Sequence, residues 1–192
     1  MSADTPTTHF VLIHGAWHGG WCWSRVTERL NAAGFAATAP TLTGLAERRD
    51  ALSRGINLST HINDIIAAIQ QQGGHNVTLV GHSYGGFPTT AAAYHLPDIV
   101  SHLILLDAFL PAPGEKLLDH APDLITAYQT LKKTYIRCTR AAGNYLTTSI
   151  QRAQTDPTWR FLTLDSDHDA MIDAPDALTT LLTSSLTTRT PL

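Results

Sequence analysis

The chain has 192 residues, the length of one ordinary domain, and its 43% hydrophobic against 15% charged side chains supply a real core and exclude disorder as its main state. The formal net charge is −3, and Lys and Arg are scattered along the chain, so the basic footprint that nucleic acid or an anionic membrane requires is missing. The longest apolar stretch, His102 to Pro111, is broken by Asp107 and falls far short of the roughly 20 residues of a membrane span.

In chain order, residues Met1 to Thr8 are polar and lack the positive-then-apolar layout of a signal peptide, so a cytoplasmic protein is expected. A strand follows over Phe10–Ile13, then a helix over Trp23–Ala33 ended by Gly34, and a strand over Ala36–Ala39. Leu58 to Thr60 opens a second helix, which runs over His61–Gln72 and ends at Gly73 and Gly74. The strand Val77–Val80 leads into a helix that starts at Ser83 and continues through Tyr94. Strands Leu103–Leu106, Thr134–Cys138 and Arg160–Leu164 come next, and Pro175 suits the first turn of a last helix through Leu186. The threonine-rich tail 187–192 has little to bury and is expected to fray. Short β-branched runs alternating with amphipathic helices imply an α/β fold, a mostly parallel sheet covered on both faces, in a single domain over residues 1–192.

The sharpest signal is Gly81-His82-Ser83-Tyr84-Gly85-Gly86, a G-x-S-x-G turn with a buried strand before it and a helix after it. On so tight a turn the serine is strained and its hydroxyl is lifted into the open, while side chains at the two glycines would strike the strand and helix. The helix N-terminus beneath it favours developing negative charge. The bland alternative is an ordinary glycine-rich turn. At the end of the first strand, His14-Gly15-Ala16 forms a His-Gly turn that can aim a backbone N–H at an oxyanion, which nominates the amides of Ala16 and Tyr84. His14 itself reads as a loop organiser rather than a base. Trp21 and Trp23 read as core residues anchoring the first helix, and Trp17 as either a pocket wall or plain packing.

A serine hydroxyl needs a base, usually a histidine oriented by a carboxylate. Of ten histidines, His168 stands out, because Asp165-Ser166-Asp167-His168-Asp169-Ala170-Met171 follows the last strand, where the order Ser, acid, His expects the base. His82 should point elsewhere on the turn; His9, His61, His75, His95 and His102 read as surface or packing residues, and His18 and His120 at most line a pocket. Cys22 and Cys138 lack zinc or redox spacing and read as buried small hydrophobes, and no metal or cofactor is expected.

Taken together, Phe10 to Trp23, Thr41-Leu42-Thr43-Gly44-Leu45-Ala46-Glu47-Arg48, Leu79 to Gly86, Leu106-Asp107-Ala108-Phe109-Leu110-Pro111 and His168-Asp169-Ala170-Met171 resemble bacterial α/β-hydrolase-fold esterases. That branch is similar to the plant methylesterase and hydroxynitrile lyase group. The resemblance runs in order from about residue 9 to 186 and implies a six-stranded version of the fold and cofactor-free carboxylic-ester hydrolysis on a small-molecule substrate.

Two departures stand out. The plant group carries its triad acid shortly after a Tyr-Ile-x-Cys-Thr segment, whereas Tyr135-Ile136-Arg137-Cys138-Thr139-Arg140 runs into Ala141-Ala142-Gly143-Asn144 without one. The bacterial branch instead carries an aspartate at the end of the strand after the nucleophile helix, which Asp107 matches. Residues at the carboxyl ends of parallel strands converge on one crevice, so Asp107 can reach His168. Asp165 and Asp167 are rivals, disfavoured because they lie too near His168 in sequence to orient its far nitrogen. Secondly, only residues 112–133 stand where relatives place a long helical cap, enough for one helix such as Lys116 to Leu131, which implies a reduced cap and an open, shallow site. His14, Trp17, His18, Phe109 and Leu110 are the expected pocket residues.

The leading expectation is therefore a serine hydrolase using Ser83, His168 and Asp107. A lyase on the same scaffold is weakened because hydroxynitrile lyases of the plant group use a lysine just after the missing acid, and Ala141 to Tyr145 contain none. A non-catalytic binding protein is opposed by the intact Ser83 turn and His168. Apolar surface left by a reduced cap would suit a second copy, making a homodimer an open expectation.

Overall fold

The computed structural model describes residues 8–73, 75–111 and 129–187. Six strands form one sheet in the order β2-β1-β3-β4-β5-β6. They are β1 (His9–Ile13), β2 (Ala36–Thr38), β3 (Val77–His82), β4 (Val100–Leu106), β5 (Lys132–Cys138) and β6 (Trp159–Leu164). Every neighbouring pair is parallel. The expected α/β class and its six-stranded parallel sheet with helices on both faces are therefore what the chain adopts.

Alternation of side chains along the strands splits the core in two. Val11, Ile13, Leu79, Leu103, Leu105 and Tyr135 face one layer, where Ile62, Ile65 and Ile69 of helix α2 (Leu58–Gln71) and Ala91 and Ala92 of α3 (Gly86–His95) meet them. Phe10, Leu12, Val80, Ile104, Leu106 and Ile136 face the other. There they pack on Val26 and Leu30 of α1 (Ser24–Ala32) and, near the chain's end, on Met171 and on Leu178 and Leu182 of the last helix.

Four helical pieces escape a reading by hydrophobic period. The chain forms α4 (Thr147–Thr155), the single turn α5 (Ala170–Asp173) ahead of α6 (Pro175–Thr187), and 3-10 turns at Gly20–Trp23 and Ala46–Ala51. Helix α2 begins earlier than its apolar period suggests, because Asn57 and Thr60 exchange a capping box: the Asn57 side chain accepts the Thr60 N–H and the Thr60 hydroxyl accepts the Asn57 N–H. The expected cap remnant lies almost wholly in 112–128, and the tail in 188–192, both outside the described residues. No described helix is long and apolar enough to cross a membrane.

The strand order sets the position of the site. From β1 the chain turns one way to β2 and the other way to β3, so a crevice opens at the carboxyl ends of β1 and β3. Ile13 is in register with Gly81, which brings the turn after each strand to the same edge.

Candidate active site

Ser83 follows β3 directly at φ 53°, a left-handed backbone that serine adopts only when its surroundings force it. The compulsion comes from packing. A Cβ on Gly81 would lie 2.8 Å from Thr89 Cβ, and one on Gly85 would lie 2.7 Å from the His14 carbonyl oxygen, so strand and helix approach as closely as glycine permits. The Ser83 carbonyl accepts the Phe109 N–H at 3.1 Å, which ties the turn to the chain leaving β4.

Asp107 caps β4 and is also left-handed, at φ 40°. Its N–H donates to the Ile136 carbonyl at 2.7 Å, continuing the ladder with β5 for one more step. Only 1% of its surface is exposed. One carboxylate oxygen accepts the Cys138 N–H at 3.2 Å; the other stands 2.7 Å from His168 Nδ1. The empty position after β5 thus has a geometric explanation: Leu106 is in register with Ile136, so the end of the adjacent strand delivers a carboxylate to the last residue of β5. Asp107 also adds to the burial that pushes the Cys138 thiol up to about 12. Asp165 is turned outward toward Arg140 at 3.6 Å, and Asp167 is exposed.

His82 is corrected from its expected position. Its ring does not point away from the site but lies 4.6 Å from the His168 ring, and its Nε2–H donates to the His168 carbonyl at 3.0 Å. A carbonyl can only accept, so the proton is on Nε2. Burial, with His168 next, holds the His82 imidazole well below its ordinary range, so it stays neutral and its grip on the His168 loop does not depend on charge. Sequence spacing gives no hint of this contact.

On the opposite side, a Cβ on Gly15 would come 2.9 Å from Ser83 Cβ, so the His14-Gly15-Ala16 turn runs against the serine. His14 is corrected as a pocket residue: it is wholly buried, donates from Nδ1 to the Gly15 carbonyl at 2.8 Å and accepts the Leu42 N–H at Nε2 at 3.1 Å. Both nitrogens are spent on shaping the loop, and burial holds its pKa down. Trp17 is left-handed at φ 69° and 92% exposed, projecting from the turn rather than packing on anything. Trp21, expected in the core, is 56% exposed and lies beside His18, whereas Trp23 is buried as expected.

The third wall is aromatic. Phe87 and Phe109 stack at 5.0 Å, Tyr145 lies 6.3 Å from Phe109, and its ring meets His168 edge-on at 5.7 Å. Leu110 is corrected too: it is buried in the core, with its N–H on the Ser149 hydroxyl and its carbonyl on Arg152 of α4. The Tyr84 hydroxyl donates to His61 Nδ1 at 2.8 Å, and His61 donates from Nε2 to the Thr43 carbonyl at 3.0 Å. Phe87, Tyr145 and His61 were not singled out from sequence: Phe87 and His61 lie on helices whose own pattern explains them as packing, and Tyr145 lies in a turn with no motif around it.

Chemically, one edge of the sheet offers a strained hydroxyl, an imidazole bonded to a buried carboxylate, and a turn of backbone amides. Among the described residues no group of three or more His, Cys, Asp or Glu side chains is placed to hold a metal ion. Over 114 residues the chain is 40% identical to a carbendazim hydrolyzing esterase from Nocardioides sp. (strain SG-4G), a stretch covering 59% of this chain and 47% of that esterase. It is 37% identical over 128 residues to a pheophorbidase from Raphanus sativus, covering 62% and 45% of the two chains. The chain spans about half the length of these curated relatives. The crystal structure of a methylesterase from Arabidopsis shares the fold at a TM-score of 0.73 and 23% identity, covering 94% of this chain and 99% of that one. A family model matches residues 10–177, and the chain belongs to the alpha/beta hydrolase family.

Proposed function

We propose that the protein is a serine hydrolase that cleaves the carboxylic ester of a small molecule through an acyl-enzyme. Ser83 attacks the ester carbonyl, His168 takes the hydroxyl proton and returns it to the leaving alcohol, and Asp107 orients His168 and stabilises the imidazolium that forms. The amides of Ala16 and Tyr84 hold the oxyanion. Water, activated by the same histidine, then releases the acid and regenerates Ser83. The observation that carries this reading is the 2.7 Å contact between the buried Asp107 carboxylate and His168 Nδ1. With Nδ1 bonded, the imidazole's other nitrogen remains for proton transfer. The esterase names of the relatives support the reaction class. The wall of Phe87, Phe109 and Tyr145 offers flat apolar surface to a substrate's hydrocarbon portion.

The test is labelling with a fluorophosphonate together with turnover of p-nitrophenyl acetate, each repeated on Ser83→Ala. Labelling and turnover that both vanish in the variant are expected. Wild-type protein that neither labels nor turns over the ester overturns the reading.

A further inference from the structure

The loop that carries His168 leaves β6, yet it must reach Ser83 at the end of β3, and β4 and β5 stand between those two strands in the sheet. Hydrogen bonds mark its course over the strand ends. Just past β5, the Ser166 carbonyl accepts the Arg140 N–H at 3.0 Å; just past β4, His168 Nδ1 meets the Asp107 carboxylate at 2.7 Å. At β3, the His168 carbonyl accepts the Nε2–H of His82, the last residue of that strand, at 3.0 Å. The first bond guides the loop and the second holds one edge of the ring. Among the described residues, the third is the one hydrogen bond made by the His168 backbone.

Packing does not account for an imidazole at position 82. The residue is 1% exposed, its ring lies edge-on to Trp23, and its Nδ1 is buried with no hydrogen-bond partner. A hydrocarbon ring would fill that space without desolvating an unpaired nitrogen. What the imidazole has and a hydrocarbon lacks is the Nε2–H, and its acceptor is the His168 carbonyl. The Asp169 carboxylate, 3.8 Å from the same nitrogen, is beyond hydrogen-bond reach. The other side of the ring rests on the turn after β1, where Gly15 leaves room: a Cβ there would lie 3.0 Å from His82 Nδ1. His82 is also in register with Leu106, so Ser83 and Asp107 each follow one member of a paired couple at the strand ends.

We propose that His82 is a positioning residue: its Nε2–H pins the backbone of the proposed base to the strand that bears Ser83. Asp107 at the ring and His82 at the carbonyl then fix together where the remaining imidazole nitrogen of His168 points. The role rests on the catalytic assignments proposed above. It needs no charge on His82, because a neutral imidazole with its proton on Nε2 makes the bond. Since His82 acts through His168 and not on the substrate, its loss misplaces the base, and turnover should suffer while substrate binding does not.

Two measurements on the full chain test this. Long-range proton–nitrogen NMR of the wild-type imidazoles at about pH 7 should find His82 neutral with its proton on Nε2; a proton on Nδ1 instead overturns the proposal, and this reading stands even where a variant fails to fold. The second compares p-nitrophenyl acetate kinetics of His82→Phe, His82→Gln and His82→Asn, expressed per site titrated to completion with fluorophosphonate so that unfolded protein is not counted. Gln carries an N–H as many bonds from Cβ as Nε2 is, and Asn carries one a bond short. The Phe and Asn variants should lose about tenfold or more in kcat with KM changed less than about twofold, and Gln should recover about threefold or more of that loss. A Phe variant with wild-type kcat, or a Gln variant no better than Asn, overturns the role while wild-type turnover stands. A wild type that neither labels nor turns over the ester instead fails the hydrolase reading, and the role falls with it.

Discussion

Asp107 and His168 stand 61 residues apart in the chain, and their side chains meet at 2.7 Å. The contact is made at the carboxyl edge of a parallel sheet, where β4 ends beside the backbone that leaves β5. The carboxylate is held by a Cys138 amide and by its own burial, so its direction is set before any substrate arrives.

Asp107→Asn keeps the shape of the side chain and removes the charge. On the proposed mechanism kcat for p-nitrophenyl acetate should fall on the order of 10⁴-fold, with the fold retained by circular dichroism. Retention of more than about a tenth of the wild-type turnover would take Asp107 out of the catalytic set.

Acid stability should report His102. Burial first, then Lys132 and Arg160, lower its pKa from 6.5 to about 3, while the unfolded chain keeps the ordinary value. Below about pH 6.5 the unfolded state therefore binds a proton that the folded state refuses, and stability falls by up to about 1.4 kcal/mol per pH unit until the pH nears the folded value. His102→Gln should make the decline of the urea midpoint between pH 7 and 5 shallower by about one proton's worth of slope. An unchanged slope contradicts the assignment. His9, His14 and His82, also lowered by burial, add to the acid sensitivity in the same direction.

Asn57→Ala removes the capping box that starts α2. A loss of about 1 kcal/mol is expected, read as a fall of about 2–4 °C in Tm, with Asn57→Asp close to wild type. No change in Tm would show that the first turn is held by packing alone.

Gly85→Ala tests how tightly the Ser83 turn is packed. The added Cβ would sit 2.7 Å from the His14 carbonyl oxygen, a backbone atom of a buried loop that cannot swing aside. Urea unfolding should show a loss of about 1–3 kcal/mol, the usual cost of overpacking. The same substitution at Gly34, where a Cβ meets nothing within 4 Å, isolates the cost of the positive φ, which is 86° there.

What could be read from the sequence was whatever a few adjacent residues decide. Apolar runs such as Phe10–Ile13 and Val77–Val80 must be buried strands because both faces of their sheet are covered. The Gly81 to Gly86 turn announces itself because strain, glycine spacing and the strand-to-helix change all lie within six residues. His168 was legible from its place after the last strand, and Asp107 only by its resemblance to a pattern. Short-range chemistry of this kind survives being read one element at a time.

The remainder depended on which element lies beside which. Asp107 rather than Asp165 or Asp167 meets His168 because β4 and β5 are neighbours in register, a relation no local spacing contains. His82 turned out to grip the His168 loop, His14 and Leu110 proved to be buried supports, and Trp21 stood outside the core, since the direction of each side chain is set by packing against distant chain. Helix α4, rich in threonine, has too weak a pattern to be seen without the sheet it packs on. Sequence by itself determined the alternation of strands and helices and picked out the Ser83 turn and His168; only the tertiary structure decided which carboxylate His168 meets, because that contact depends on β4 and β5 lying side by side in register.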